Sequence, residues 1–266
     1  MLLQSLNGQG VFKMQLKGRV AIITGSARGL GKEFALRFAR EGARIVVTDI
    51  LDCEPVAGEI KALGGEALTI KTDVTSEADT AELARRTSEH FGRIDILVNN
   101  AAIFGSLEHK NFVKPFEEIT VDEWDKVMAV NLKGVFLCCK AVVPYMKKQG
   151  QGKIVNIAST VAYTGTPIFL HYTTSKGGVV SMTRGLANAL GQYNINVNAI
   201  APGLTETEAS QSIATTESKG GIMSRQIIKR ATSPGHIASA LVFLSSSEAD
   251  QVTGHILAVN AGECLI

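Results

Sequence analysis

The sequence predicts an α/β fold: a doubly wound, mainly parallel sheet of seven strands with helices on both faces, in a single domain. Three observations carry this. Apolar β-branched runs alternate with longer amphipathic stretches along almost the whole chain. Several runs are nearly continuous in Val, Ile, Ala and Leu, as in strands that meet no water on either side of the pleat. No internal repeat and no Pro- or Gly-rich linker divides the 266 residues.

The runs place strands at Val20–Thr24, Arg44–Asp49, Ala67–Lys71, Ile96–Asn99, Lys153–Ile157, Ile195–Ile200 and His255–Val259. Helices are predicted between them. Leu30–Arg40 carries Leu30, Phe34 and Phe38 at helical spacing, and Ser76–Phe91 opens with Ser76 and Asp79 in a capping-box-like pattern. Asp122–Lys148 is long and apolar along one side, and Phe169–Leu190 follows the fifth strand. Ser233-Pro234 sets a cap residue before a first-turn proline, which starts a further helix.

A formal net charge of +2, with no basic run longer than the pairs Arg85–Arg86 and Lys147–Lys148, leaves no footprint for nucleic acid or an anionic membrane. A small-molecule partner fits better. Cys53, Cys138, Cys139 and Cys264 form no C-x-x-C and no zinc-like spacing, so no metal is expected. Buried free thiols in a reducing, cytoplasmic compartment are the expectation. No apolar run reaches the roughly 18 residues of a membrane span. Residues 1–13 do not have the form of a secretory leader and are expected to be a poorly ordered extension, so the catalytic domain is read as 14–266.

Directly after the first strand stands Thr24-Gly25-Ser26-Ala27-Arg28-Gly29-Leu30-Gly31, and then a helix. Glycines allow a tight turn and close approach of the backbone to a pyrophosphate, whose charge suits the N–H groups at a helix start. Gly25, Arg28, Gly29, Leu30 and Gly31 are therefore candidate cofactor contacts. An ordinary βα turn is the bland alternative. The second strand ends at Asp49, followed by Ile50, where a carboxylate can accept from the adenosine ribose hydroxyls and repel a 2′-phosphate. Arg28 pulls the other way, toward a 2′-phosphate. The balance favours NAD over NADP. Asp73 and Val74 after the third strand, and Asn100, Ala101 and Ala102 after the fourth, are placed to border the same cofactor.

Tyr172 and Lys176 lie four apart at the start of a helix, on one face. Ser159 follows the fifth strand, thirteen residues earlier, at the carboxyl edge where such sheets bind ligands. Asn131 is a polar residue inside an apolar helical stretch. A tyrosine hydroxyl titrates near pH 10 when free. A neighbouring ammonium and a positive nicotinamide ring are expected to lower that value, giving a group that exchanges a proton with an alcohol near neutral pH. Ser159 would stabilise the developing alkoxide.

Taken together, these motifs resemble the short-chain dehydrogenase/reductase family in its short single-domain branch. The resemblance covers about residues 15–262 and rests on Thr24–Gly31, Asp73, Asn99–Ala101, Asn131, Ser159, Tyr172-x-x-x-Lys176 and Pro202-Gly203. It implies a Rossmann-like fold, a homotetramer and an Asn-Ser-Tyr-Lys tetrad. By that resemblance Tyr172 is the acid/base, Ser159 positions the carbonyl, Lys176 binds the nicotinamide ribose, and Asn131 holds a water. Pro202, Gly203, Leu204, Thr205 and Thr207 would lie against the nicotinamide amide and phosphates. Ala102 departs from the family's glycine, and Asn260-Ala261-Gly262 from its usual Asp-Gly-Gly.

The implied activity is hydride transfer between NAD(H) and a secondary alcohol/ketone. A 3-oxoacyl-thioester reductase using NADPH and a non-catalytic nicotinamide-binding partner subunit are the alternatives. The segment 206–230 is expected to form a lid that either closes on an apolar substrate or packs on the core. Ile103, Phe104, Thr160, Tyr163, Leu204, Met223 and Ile227 are the candidate substrate contacts, suited to a medium-sized secondary alcohol or ketone, aromatic ones included.

Overall fold

The computed structural model describes residues 14–104, 112–213 and 216–266. The extension expected at 1–13 lies outside the described residues. The elements run β1 (Val20–Thr24), α1 (Gly29–Arg40), β2 (Arg44–Asp49), α2 (Glu54–Ala62), β3 (Ala67–Lys71), α3 (Glu77–Phe91) and β4 (Ile96–Asn99). They continue with α4 (Val121–Met128), a π-helical turn (Ala129–Lys133), α5 (Gly134–Gln149), β5 (Gly152–Ile157), α6 (Val161–Thr164) and α7 (Leu170–Leu190). The chain ends through β6 (Ile195–Pro202), α8 (Glu208–Ile213), α9 (Thr216–Arg225), α10 (Pro234–Ser245) and β7 (Ile256–Val259).

All seven strands pair in parallel, in the order β3-β2-β1-β4-β5-β6-β7. The order reverses between β1 and β4, and a crevice opens beyond the carboxyl ends of strands at such a switch point. Alternate residues of one strand feed two cores. Val20 and Ile22 of β1 join the cluster under α3, α5 and α7, while Ala21 and Ile23 join the one under α1 and α10. Burial of both faces is what made these strands readable as unbroken apolar runs.

The long helix expected over Asp122–Lys148 is interrupted. Asn131 sits in the π-turn, so the chain changes helical phase where the polar residue enters the apolar stretch. By length and composition, Val121–Gln149 would suffice to cross a membrane. Its apolar side is committed to the core instead, through Val135, Leu137, Cys138, Cys139, Val142 and Met146. At α3, Ser76 Oγ accepts from the Asp79 N–H at 3.2 Å, as expected, but the Asp79 carboxylate accepts from the Asp73 N–H, tying the helix start to the loop after β3. Helix α2 has a proline in its first turn and was not named from the sequence.

Candidate active site

A cavity of about 600 Å³ lies along the carboxyl edge of the sheet. Strand after strand contributes its end: Gly25 after β1, Asp49 on β2, Asp73 after β3, Asn100 and Ala101 after β4, Ile157 on β5 and Thr207 after β6. The parallel topology alone brings these distant segments together.

The glycine turn is shaped by what a side chain would hit. Gly25 and Gly29 have φ of 66° and 58°, in the left-handed region that favours glycine. A Cβ on Gly25 would stand 2.7 Å from Ala101 Cα, and one on Gly31 would run into the Gly25 carbonyl oxygen. Asn100 closes the turn, donating through Nδ2 to the carbonyls of Thr24 and Gly25 at 2.9 and 3.0 Å. Thr24 Oγ1 accepts from the N–H groups of Asn100 and Ala101. Leu30 and Arg28 line the cavity, whereas Gly31 lies behind it as a spacer. Asp49 accepts from the Ala27 and Leu51 N–H groups at 3.2 and 3.1 Å, which fixes its carboxylate beside the turn. Ile50 and Val74 line the same end.

Tyr172 and Lys176 lie one turn apart on α7, both line the cavity, and both are buried, at 8% and 3% exposure. Lys176 Nζ donates to the Ile157 carbonyl at 2.7 Å and lies 5.6 Å from the centre of the Tyr172 ring. The expected acidification of the phenol is not what the protein environment alone produces. Burial pushes the Tyr172 phenol up to about 12, with the Ser159 hydroxyl pulling it partly back. Burial also brings the Lys176 ammonium down to about 8. Desolvation disfavours both charged forms, and the ammonium spends its hydrogen bond on a carbonyl. Ser159, after β5, is likewise buried at 9%, but it does not line the cavity.

Asn131 is fully buried and does not line the cavity. Its Oδ1 accepts from the Ile103 N–H at 2.7 Å, and its Nδ2 donates to the Ile103 carbonyl and to Ser175 Oγ, both at 3.3 Å. The side chain therefore clamps the loop after β4, which carries Ala101, Ala102, Ile103 and Phe104 along the cavity wall.

Several expected contacts fall elsewhere. Among the expected residues after β6, only Thr207 lines the cavity, and its Oγ1 accepts from the Ser210 N–H to start α8. Pro202 ends β6, and a Cβ on Gly203 would stand 2.9 Å from Asn260 Cβ. Leu204 and Thr205 do not line the cavity, and Thr205 Oγ1 donates to the Gly203 carbonyl. Thr160 Oγ1 donates to the Pro202 carbonyl at 3.2 Å, which ties it to β6, and it does not line the cavity. Tyr163 lies against the core near α7, its hydroxyl buried without a partner among the described residues. Ile227 crosses over Gly262, and its N–H donates to the Ala261 carbonyl, so it closes on the carboxyl-terminal loop. Met223 is 38% exposed and also lies outside the cavity. Within the segment 206–230 the chain forms two helices, α8 and α9.

The cavity wall also includes Thr72, Thr75, Lys126, Ala129 and Val130, none of them anticipated. Lys126, Ala129 and Val130 follow an i, i+3, i+4 pattern, the signal of one helical face pointing at one target.

Comparison with known proteins decides the family. A family model described as enoyl-(acyl carrier protein) reductase matches residues 25–263. The chain belongs to the short-chain dehydrogenase/reductase family. It is 38% identical over 251 residues to a 3-oxoacyl-[acyl-carrier-protein] reductase, FabG, of Thermotoga maritima, covering 94% of this chain and 99% of that one. It is 40% identical over 255 residues to BbsD of Thauera aromatica, a (2S)-[(R)-hydroxy(phenyl)methyl]succinyl-CoA dehydrogenase subunit, covering 95% and 99%. A solved 7α-hydroxysteroid dehydrogenase, in complex with NADH and 7-oxo glycochenodeoxycholic acid, superposes with a TM-score of 0.88 at 37% identity, covering 94% of this chain and 96% of that one. As a short-chain dehydrogenase/reductase, the chain is an oxidoreductase that acts on alcohol and carbonyl groups of small molecules.

Proposed function

We propose that this enzyme transfers a hydride between NAD(H) and a secondary alcohol/ketone, with Tyr172 as the proton-exchanging acid/base. The observation that carries the reading is that buried Tyr172 and Lys176 line the same cavity as the glycine turn and Asp49. A dinucleotide fits this cavity. The turn's close backbone approach suits a pyrophosphate, Asp49 suits ribose hydroxyls, and Lys176 suits the second ribose beside Tyr172. The bound nicotinamide supplies the hydride acceptor or donor, and in its oxidised form a positive charge.

That charge bears on the phenol. With burial holding Tyr172 near 12, the ammonium alone does not make it a base at neutral pH. A further positive charge beside the hydroxyl favours the phenolate. In oxidation the alcohol proton passes to Tyr172 oxygen as the carbinol C–H breaks, leaving the ketone. In reduction the phenol returns it. Ser159, whose hydroxyl favours the ionised phenol, holds the substrate oxygen at the same point. Asn131 acts on the cavity through Ile103.

NAD is favoured over NADP because the Asp49 carboxylate would meet a 2′-phosphate at close range. Arg28, which lines the cavity near it, supports NADPH and a 3-oxoacyl-thioester substrate as the second reading. A homotetramer is supported by apolar side chains left outside the fold, Val121 at 74% and Phe136 at 48% exposure. A cytoplasmic setting is supported by free cysteines, of which Cys53, Cys138 and Cys139 are buried. The test is a panel of secondary alcohols and 3-oxoacyl thioesters offered with both cofactors. NADH formation from secondary alcohols supports the reading. Turnover confined to NADPH and thioesters selects the second, and cofactor binding with no turnover makes the chain a binding subunit.

A further inference from the structure

We infer that Asn156 and Thr183 are positioning residues: their buried hydrogen bond sets the register of α7 against β5, and so the place of Tyr172 and Lys176 relative to Ser159 and the cavity. This rests on the hydride-transfer reading above and names two further residues on which that site depends.

Asn156 is an amide where an aliphatic side chain would pack. It is fully buried, and its neighbours on the same face of β5, Ile154 and Ala158, belong to the apolar cluster under α3, α5 and α7. Its Nδ2 donates to Thr183 Oγ1 at 2.9 Å, and its Oδ1 accepts from Asn99 Nδ2 at 2.8 Å. Thr183, also fully buried, donates its own hydroxyl proton to the Val179 carbonyl at 2.8 Å, which leaves its oxygen to accept from the amide. Amide and hydroxyl satisfy each other, and removing either leaves a buried polar group unmatched. Two apolar side chains of the same volume would fill this space without desolvating anything. The directional bond, not the burial, is therefore what the pair adds.

The spacing shows what that bond aligns. Residues seven and eleven apart share one face of a helix. Thr183 is seven residues beyond Lys176 and eleven beyond Tyr172, so the three stand on one stripe of α7. Their partners on and after β5 run in the opposite sense. Asn156 meets Thr183, the Ile157 carbonyl accepts from Lys176 Nζ at 2.7 Å, and the Ser159 hydroxyl acts on the Tyr172 phenol. Strand and helix are joined like the sides of a ladder, and Asn156–Thr183 is the rung farthest along α7 from the tyrosine. Neither residue lines the cavity. A slip of α7 by one residue, about 1.5 Å along its axis with about 100° of rotation, would carry the phenol away from Ser159 with every reacting side chain still present.

The test is Thr183→Val, which keeps the side chain's shape and removes its oxygen, beside Thr183→Ser, which keeps the oxygen. Oxidation of a secondary alcohol is followed at saturating NAD, at a temperature where circular dichroism shows each variant folded, with NADH binding titrated alongside. Thr183→Val is expected to lose roughly tenfold in kcat while its dissociation constant for NADH moves less than about threefold, and Thr183→Ser to stay within about twofold of wild type. The rise of kcat with pH should also move to higher pH in Thr183→Val, because a displaced ammonium favours the phenolate less. A bond that served stability alone would leave both kcat and that profile in place. If Thr183→Val does not fold, Thr183→Cys, whose thiol is a weak acceptor, carries the same expectation in smaller degree. Wild-type kcat and pH profile in the folded variant, or Thr183→Ser impaired as much as Thr183→Val, overturns this inference alone. No oxidation of any secondary alcohol by the wild-type enzyme sinks the hydride-transfer reading, and this one with it.

Discussion

Lys176 and Tyr172 share one helical face, yet the lysine gives its hydrogen bond to the Ile157 carbonyl at 2.7 Å and stands 5.6 Å from the tyrosine ring. The pair is thus anchored to the end of β5. That anchor holds a buried ammonium at the cavity without neutralising it. The cost of burying it is visible as a pH effect.

The Lys176 ammonium is brought down from 10.5 to about 8, so between these values the folded state binds fewer protons than the unfolded chain. Stability then rises with pH across that window: the penalty is full below pH 8 and gone above 10.5. Lys176→Met should remove this dependence. Urea melts of both proteins from pH 7 to 10 are expected to show the stability difference, variant minus wild type, falling by roughly 2 kcal/mol as pH rises. Parallel pH profiles would show that the lysine is not charged in a dry site.

Gly31 has no tolerance for a side chain, because its neighbour is the Gly25 carbonyl, which is backbone and cannot rotate away. Gly31→Ala should cost about 1–3 kcal/mol of stability. It should also distort the turn enough to weaken NADH binding about tenfold, read by fluorescence titration. Unchanged binding would mean the turn does not carry the pyrophosphate.

Asp49 is held beside the turn by the Ala27 and Leu51 N–H groups. Asp49→Ala should lower kcat/KM for NAD by roughly tenfold, the worth of a hydrogen bond to a charged acceptor, and raise that for NADP. Steady-state kinetics with both cofactors checks it. Unaltered selectivity would remove the carboxylate from the ribose.

Much of this was legible in the sequence, for identifiable reasons. Strands buried on both faces announce themselves as unbroken apolar runs, so β1, β2 and β4 were bounded to the residue, as was the partly exposed edge strand β3. The glycine turn and the Tyr172/Lys176 pair were legible because each is a local motif. Less local features escaped. The π-turn at Asn131 left no periodic trace beyond one polar residue in an apolar stretch. Lys126, Ala129 and Val130 reach the cavity only because α4 and the π-turn after it pack against α7, which spacing can hint at and only topology decides. Thr160, Tyr163 and Ile227 were assigned to the substrate by their place in the chain, but none of them lines the cavity. The phenol's upward shift was invisible for the same reason: charge is countable in a sequence, and burial is not.

The most direct measurement is hydride transfer by Tyr172→Phe, followed as NADH formation from a secondary alcohol that the wild-type enzyme oxidises, with NADH binding titrated in parallel. Removing a positioned acid/base should lower kcat by roughly 10²–10⁴-fold while the dissociation constant for NADH moves less than about threefold. A variant that turns over at the wild-type rate, with its cofactor bound as before, would contradict the assignment of the proton to Tyr172.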